Sequence, residues 1–226
     1  MKILQITTSA ADSLGAESGG GTLSLLELLS KGGFVIIIIF LLSVIAIYIF
    51  VERYRTIQAA SKTPENFMEE IRSKVTNGDI EGAKIQCAHV DSPIARMIEK
   101  GVSRIGSSLK NIEVSIENVG KIEIYRLEKN LSLLATISGA APMLGFLGTV
   151  IGMIRAFIAI AQEEGSVSPK LLSQGIYEAM ITTAAGLVVG ILAYLAYNYL
   201  VTRVQKLVHN MEYNSIEFID LLQEPQ

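Results

Sequence analysis

The chain of 226 residues has no tryptophan, one cysteine and two histidines, and these gaps remove several kinds of chemistry. A single cysteine, Cys87, cannot form an internal disulfide. His89 and His209 are far apart in sequence and lack the spacing of a metal-binding pair. Aspartate is scarce as well, and Asp12, Asp79, Asp91 and Asp220 all lie outside the three long apolar runs. Those runs hold no His, Cys or Asp, so neither a metal site nor an aspartyl pair can be built there. No enzyme activity and no cofactor are expected. A net charge of −3 says little about partners, and no nucleic acid is expected among them.

Apolar residues are plentiful instead. They make up 50% of the chain, with a mean hydropathy of +0.43, and they are clumped. Residues 34–51 (FVIIIIFLLSVIAIYIFV) carry no charge and meet the length of a transmembrane helix, about 17–25 residues. Polar and small residues precede this run and no small-residue cleavage site follows it, so it reads as a retained span rather than a cleaved signal. Residues 131–161 and 171–201 are longer than a bilayer of about 30 Å needs at about 1.5 Å per residue, so they tilt or continue as helix beyond it. An all-α membrane protein with three transmembrane helices is the expected fold.

The basic residues give an orientation. Of the 19 Lys and Arg, 13 lie between Glu52 and Asn130, beginning with Arg53 and Arg55. Only Lys2 and Lys31 precede the first run, and only Lys170 lies between the last two. Positive residues mark the cytoplasmic side, which places the N-terminus outside and the C-terminus inside, with Arg203 and Lys206 in agreement. The expected order is an external tail with a short amphipathic helix (1–32), a first span (33–51), a cytoplasmic helical domain (52–130), a second span (131–161), an external loop (162–170), a third span (171–201) and a cytoplasmic C-terminal helix (202–226). Leu23 to Leu29 suggest the short surface helix, or simply the start of the first span, with Gly32-Gly33 as the break between them.

Within the cytoplasmic domain, Pro64 suits a first helical turn. Asp79 after Asn77-Gly78 caps a helix over 80–88, and Ser92-Pro93 opens another. Cys87 reads as a small buried apolar side chain. From Asn111 onward, Ile112, Ile116, Val119, Ile122, Tyr125 and Leu127 keep a helical rhythm into the second span without a breaker before Gly139. One long helix rising into the membrane is expected.

Small residues recur four apart in the later spans, as Gly148, Gly152 and Ala156, and as Gly186 and Gly190, a spacing that lets helix backbones approach closely in lipid. Pro142 breaks the backbone bonding of the second span. Thr149 either bonds back to the carbonyl of Gly145 or faces a lumen. Glu178 has Thr182 and Thr183 about one turn on, a plausible relay for protons or hydrated cations; alternatively it sits near the outer end of its span and reaches water. Arg155 either snorkels, pairs with Glu163 or Glu164, or takes part in gating.

Two stretches, APMLGFLGTVIGMIRAF (141–157) and GIYEAMITTAAGLVVGI (175–191), together resemble the MotA/TolQ/ExbB proton-channel family, and SPIARMIEKG (92–101) resembles its cytoplasmic loop. Three spans with an external N-terminus are similar to ExbB and TolQ rather than to the four-span flagellar members. The resemblance places Thr149 on the family's channel threonine, and Glu178 and Thr183 on the glutamate and threonine of the third span. It implies a homopentameric ring in the bacterial inner membrane around two single-span helices of an ExbD- or TolR-like partner. Each of these partner helices brings the membrane aspartate that this chain lacks. Proton transit would then drive rotation passed to a TonB-like protein for outer-membrane import. A TolQ-type role in the Tol-Pal envelope system and a non-conducting scaffold are the alternatives, and nothing in these residues selects protons over sodium.

Overall fold

A computed structural model describes residues 33–64, 66–162 and 169–223. The expected external tail and surface helix, and most of the expected external loop, lie outside the described residues. Among those described the chain is helical, with no strand: α1 Gly33–Ala60, α2 Phe67–Thr76, α3 Ile80–His89, α4 Pro93–Val102, α5 Leu109–Glu128, α6 Leu131–Gln162 and α7 Pro169–Gln223. Three stretches are long and apolar enough to cross a membrane: Gly33–Ala60, Leu109–Gln162 and Gly175–Gln223.

The short helices start where their caps direct. Asp79 accepts a hydrogen bond from the amide of Gly82 at 2.9 Å, opening α3. Ser92 accepts from the amide of Ala95 at 3.2 Å with Pro93 in the first turn, opening α4. Pro64 stands outside a helix, and α2 begins only at Phe67.

The expected single helix from Asn111 into the second span is corrected. α5 ends at Glu128, Lys129 is extended at ψ 134°, and Asn130 takes φ +64° before α6 begins at Leu131. Asparagine tolerates the left-handed region better than most residues, so one Asn suffices to break a run whose apolar rhythm never falters.

The described residues form two compact units. The first comprises residues 33–38 with 144–162 and 169–185, and the second comprises residues 39–143 with 186–223. The second unit has a core of large side chains, with Phe67, Ile71, Ile98, Ile116, Met211 and Phe218 all almost fully buried. A Cβ on Gly101 would lie 2.6 Å from the Phe218 ring and 2.7 Å from Ile116 Cδ1, so an added methyl would have to displace both side chains.

Charge is buried in this unit too. Glu123, 4% exposed, bonds Arg96 at 2.8 Å and Arg126 at 2.7 Å, and the Arg96 guanidinium is held charged chiefly by its bond to Glu123. Arg53, at the foot of the first apolar run, is buried, donates to the carbonyl of Arg126 at 3.0 Å and pairs with Glu52. Cys87 is buried as expected, and burial, with a smaller contribution from Glu99, pushes its thiol up to about 12.

Candidate functional site

Three helices converge in the first unit. The seam between α6 and α7 is made of small residues. A Cβ on Gly148 would lie 2.7 Å from Thr182 Cβ, and one on Gly152 3.0 Å from Ala179 Cβ. One on Gly175 would lie 2.6 Å from Ala156 Cβ. Gly148, Gly152 and Ala156 thus form one edge, as their spacing suggests, and Gly175, Ala179 and Thr182 form the other. Without a hydrophobic driving force between helices in lipid, close backbone approach and the dispersion contacts it allows supply the attraction. Gly186 is buried and belongs to the second unit. There Gly190 lies over the ring of Pro142, where a Cβ would come within 2.6 Å of Cδ.

The hydroxyls of the site are spoken for in three ways. Thr183 donates to the carbonyl of Gly145 at 2.9 Å, a bond from α7 to α6. Thr149 donates to the carbonyl of Phe146 at 2.5 Å within its own helix, one residue away from the Gly145 acceptor that sequence suggested. Thr182 is 1% exposed and donates to the carbonyl of Ala179 at 2.8 Å. Thr149 and Thr183 keep part of their surface open, whereas Thr182 is sealed in the seam.

Arg155 pairs with Glu178. Their Nη1 and Oε1 are 3.1 Å apart, with Glu178 mostly covered. The expected partners Glu163 and Glu164 lie outside the described residues. A signal for the pairing lies in the sequence, since residues 131–161 and 171–201 contain one charged residue each, of opposite sign, but it does not by itself bring the two together. Two lone opposite charges in neighbouring apolar helices cost least when they meet.

Gly33 completes the site, and sequence gave it only a helix-breaking role. It starts α1 with φ +64°, a conformation that suits glycine, and a Cβ there would lie 2.6 Å from Glu178 Oε1 and 3.3 Å from Arg155 Nη1. The first amides of a helix lack intrahelical partners and carry partial positive charge. The start of α1 therefore lies beside the carboxylate, and its partial positive charge is of the favourable sign. Gly175 and Ala179 were also missed as seam residues, although their four-residue spacing is the same signal as that of Gly148 and Gly152.

The arrangement places one neutralised ion pair, two partly open hydroxyls and a tight glycine seam on three helices. Among the described residues no group of His, Cys, Asp and Glu is arranged to hold a metal.

Comparison with known proteins bears on this geometry. The model of the "MotA/TolQ/ExbB proton channel family" matches residues 89–213, which include the whole α6–α7 seam. A putative biopolymer transport protein ExbB homolog of Methanothermobacter thermautotrophicus is 28% identical over 194 residues, 84% of this chain and 67% of that protein. A putative ExbB-like protein of Synechocystis is 30% identical over 180 residues, 79% and 71% of the two chains. The Tol-Pal system protein TolQ of Haemophilus influenzae is 40% identical over 82 residues, 36% of each.

Proposed function

The chain belongs to the MotA/TolQ/ExbB proton channel family, and on that premise we propose that it is the ring-forming subunit of an ExbB-ExbD-type motor. Three helices able to span, in a chain of this family, make it a multi-pass membrane protein. In the proposed assembly five copies sit in the bacterial inner membrane, N-terminus periplasmic and C-terminus cytoplasmic. They surround two single-span helices of an ExbD- or TolR-like partner, and the ring's work is passed to a TonB-like protein.

The observation that carries this reading is the engagement of Glu178 by Arg155. Residues 34–51, 131–161 and 171–201 contain no other carboxylate, and this one is neutralised within the chain. A titrating group at membrane depth must then come from a partner, as an aspartate. Thr149 and Thr183, with part of their surface open, solvate that carboxylate as it gains and loses its proton, while the Arg155–Glu178 pair shapes the charge around it. The membrane potential supplies about 2.3 kcal/mol per proton per 100 mV to drive the cycle.

The test is proton flux into liposomes holding the chain with and without an ExbD-like partner, for native protein, Thr149→Val and Glu178→Ala. Flux that requires the partner, is insensitive to sodium and falls in both variants supports the reading. Equal flux in all three removes the roles of Thr149 and Glu178, and no flux even with the partner favours a non-conducting scaffold. The identity shared with TolQ over 82 residues supports a second reading, a Tol-Pal subunit with the same chemistry. Flux restored by a TolR-like partner and not by an ExbD-like one would select it.

A further inference from the structure

Within the second unit, a cavity of about 530 Å³ opens between α1, α6 and α7, a volume in the range of small-molecule sites, about 300–1,000 Å³. Its wall is apolar, built from Ala46, Phe50, Leu134, Ala193 and Ala196, and it ends at Tyr199. Such a mostly apolar space within membrane-spanning segments suits an apolar filler, because water finds few hydrogen-bond partners along it.

At that end the character changes. Phe50, Tyr54 and Tyr199 form a ring cluster, with Tyr54 and Tyr199 stacked at 6.3 Å and Phe50 6.1 Å from Tyr54. Beyond it a smaller, more polar cavity of about 120 Å³ is lined by Tyr54, Gln58, Ser61 and Arg203. The aromatic cluster lies where the apolar runs of α1 and α7 end, a position typical of the membrane–water interface. Arg203 donates to the Tyr199 hydroxyl at 3.0 Å and lies 5.2 Å from its ring, and no carboxylate pairs with it among the described residues. An exposed guanidinium at the end of a mostly apolar groove is complementary to a ligand with an anionic head and a hydrocarbon tail.

We propose that this groove is a binding site for one anionic phospholipid, its acyl chain between α1 and α7 and its phosphate on Arg203, with Tyr54, Gln58 and Ser61 beside it. The site does not depend on the proton-channel reading, since none of its residues belongs to the Arg155–Glu178 constellation. Charge complementarity favours an anionic lipid over a second copy docked by this same face, because the groove presents the cation Arg203 and no carboxylate to answer it; a copy docked by another face is an outcome of the test.

The test is native mass spectrometry of the full chain released from nanodiscs of equal parts phosphatidylglycerol and phosphatidylcholine. The native chain should retain phosphatidylglycerol several-fold over phosphatidylcholine. Ala196→Phe, which fills the cavity, should lose both lipids with the oligomer intact. Arg203→Gln, which removes the charge and its contacts with Tyr199 but leaves the apolar wall in place, should keep lipid but lose the preference between head groups. Unchanged preference in Arg203→Gln would overturn the proposal. So would Ala196→Phe retaining its lipid while the oligomer falls apart, which would assign the groove to a second copy.

Discussion

In one unit Gly148, Gly152 and Gly175 bring two helices together almost backbone to backbone, whereas in the other Phe218, Ile98 and Ile116 fill the interior with large side chains. The contrast follows from the surroundings of these particular residues, since Phe218, Ile98 and Ile116 lie outside the apolar runs. Where the alternative to packing is lipid, burying a Leu or Phe gains little, so attraction comes from close contact and from polar groups satisfied between helices. Where the alternative is water, each large apolar side chain buried gains about 1.5–3 kcal/mol. The treatment of charge differs in parallel. Among the described residues the first unit holds one pair, Arg155–Glu178, and the second builds a network of Glu123, Arg96 and Arg126 with Arg53 and Glu52 nearby.

The largest test of this contrast is Phe218→Ala. The ring is fully buried against α4 and α5, so its removal should destabilise the second unit by about 3–5 kcal/mol in chemical denaturation of the solubilised chain. A loss under about 1 kcal/mol would mean that its core is not packed as described. Gly148→Val comes next. The added branches meet Thr182 and force α6 from α7, at a cost of about 1–3 kcal/mol, and Gly148→Ala should be milder. If Gly148→Val is as stable as the native chain, α6 and α7 do not meet closely at this seam.

Cys87 probes how dry the second unit is. Its thiol is held up to about 12 from an ordinary 9.0, so the folded state favours the neutral form. That preference has no effect below pH 9, where folded and unfolded chains both keep the proton. As pH rises from 9 towards 12 the unfolded chain loses its proton first, and stability should fall by at most about 1.4 kcal/mol per pH unit. Cys87→Ala should flatten that alkaline slope, and the native thiol should resist alkylation at pH 8. The smallest effect is that of Thr183→Val, which deletes the bond to Gly145. Such interhelical bonds average about 0.6 kcal/mol, so this variant should barely move stability, and a larger change in proton flux would separate a functional role from a structural one.

Much of this was legible in the sequence. The three apolar runs, the caps at Asp79 and Ser92 and the buried Cys87 follow from local chemistry that side-chain type and spacing express directly. The edge Gly148, Gly152 and Ala156 was legible for the same reason, and its partner edge was equally written at Gly175 and Ala179. The break at Asn130 was not, because an apolar rhythm continues through it and one left-handed residue leaves no periodic trace. Nor could spacing place Gly33 against Glu178, since that contact joins residues far apart in the chain.

The sequence by itself determined that the chain is helical, has three runs able to span a membrane, and carries one cation and one carboxylate within the last two. Only the tertiary structure decided that Arg155 meets Glu178 across 23 residues, that Thr183 rather than Thr149 takes the Gly145 carbonyl across 38, and that Thr182 is sealed. The division has a physical basis. Helix formation and hydrophobicity are set by neighbours a few residues away, whereas each polar partner is chosen by how two helices pack, and that choice is made once for the whole seam.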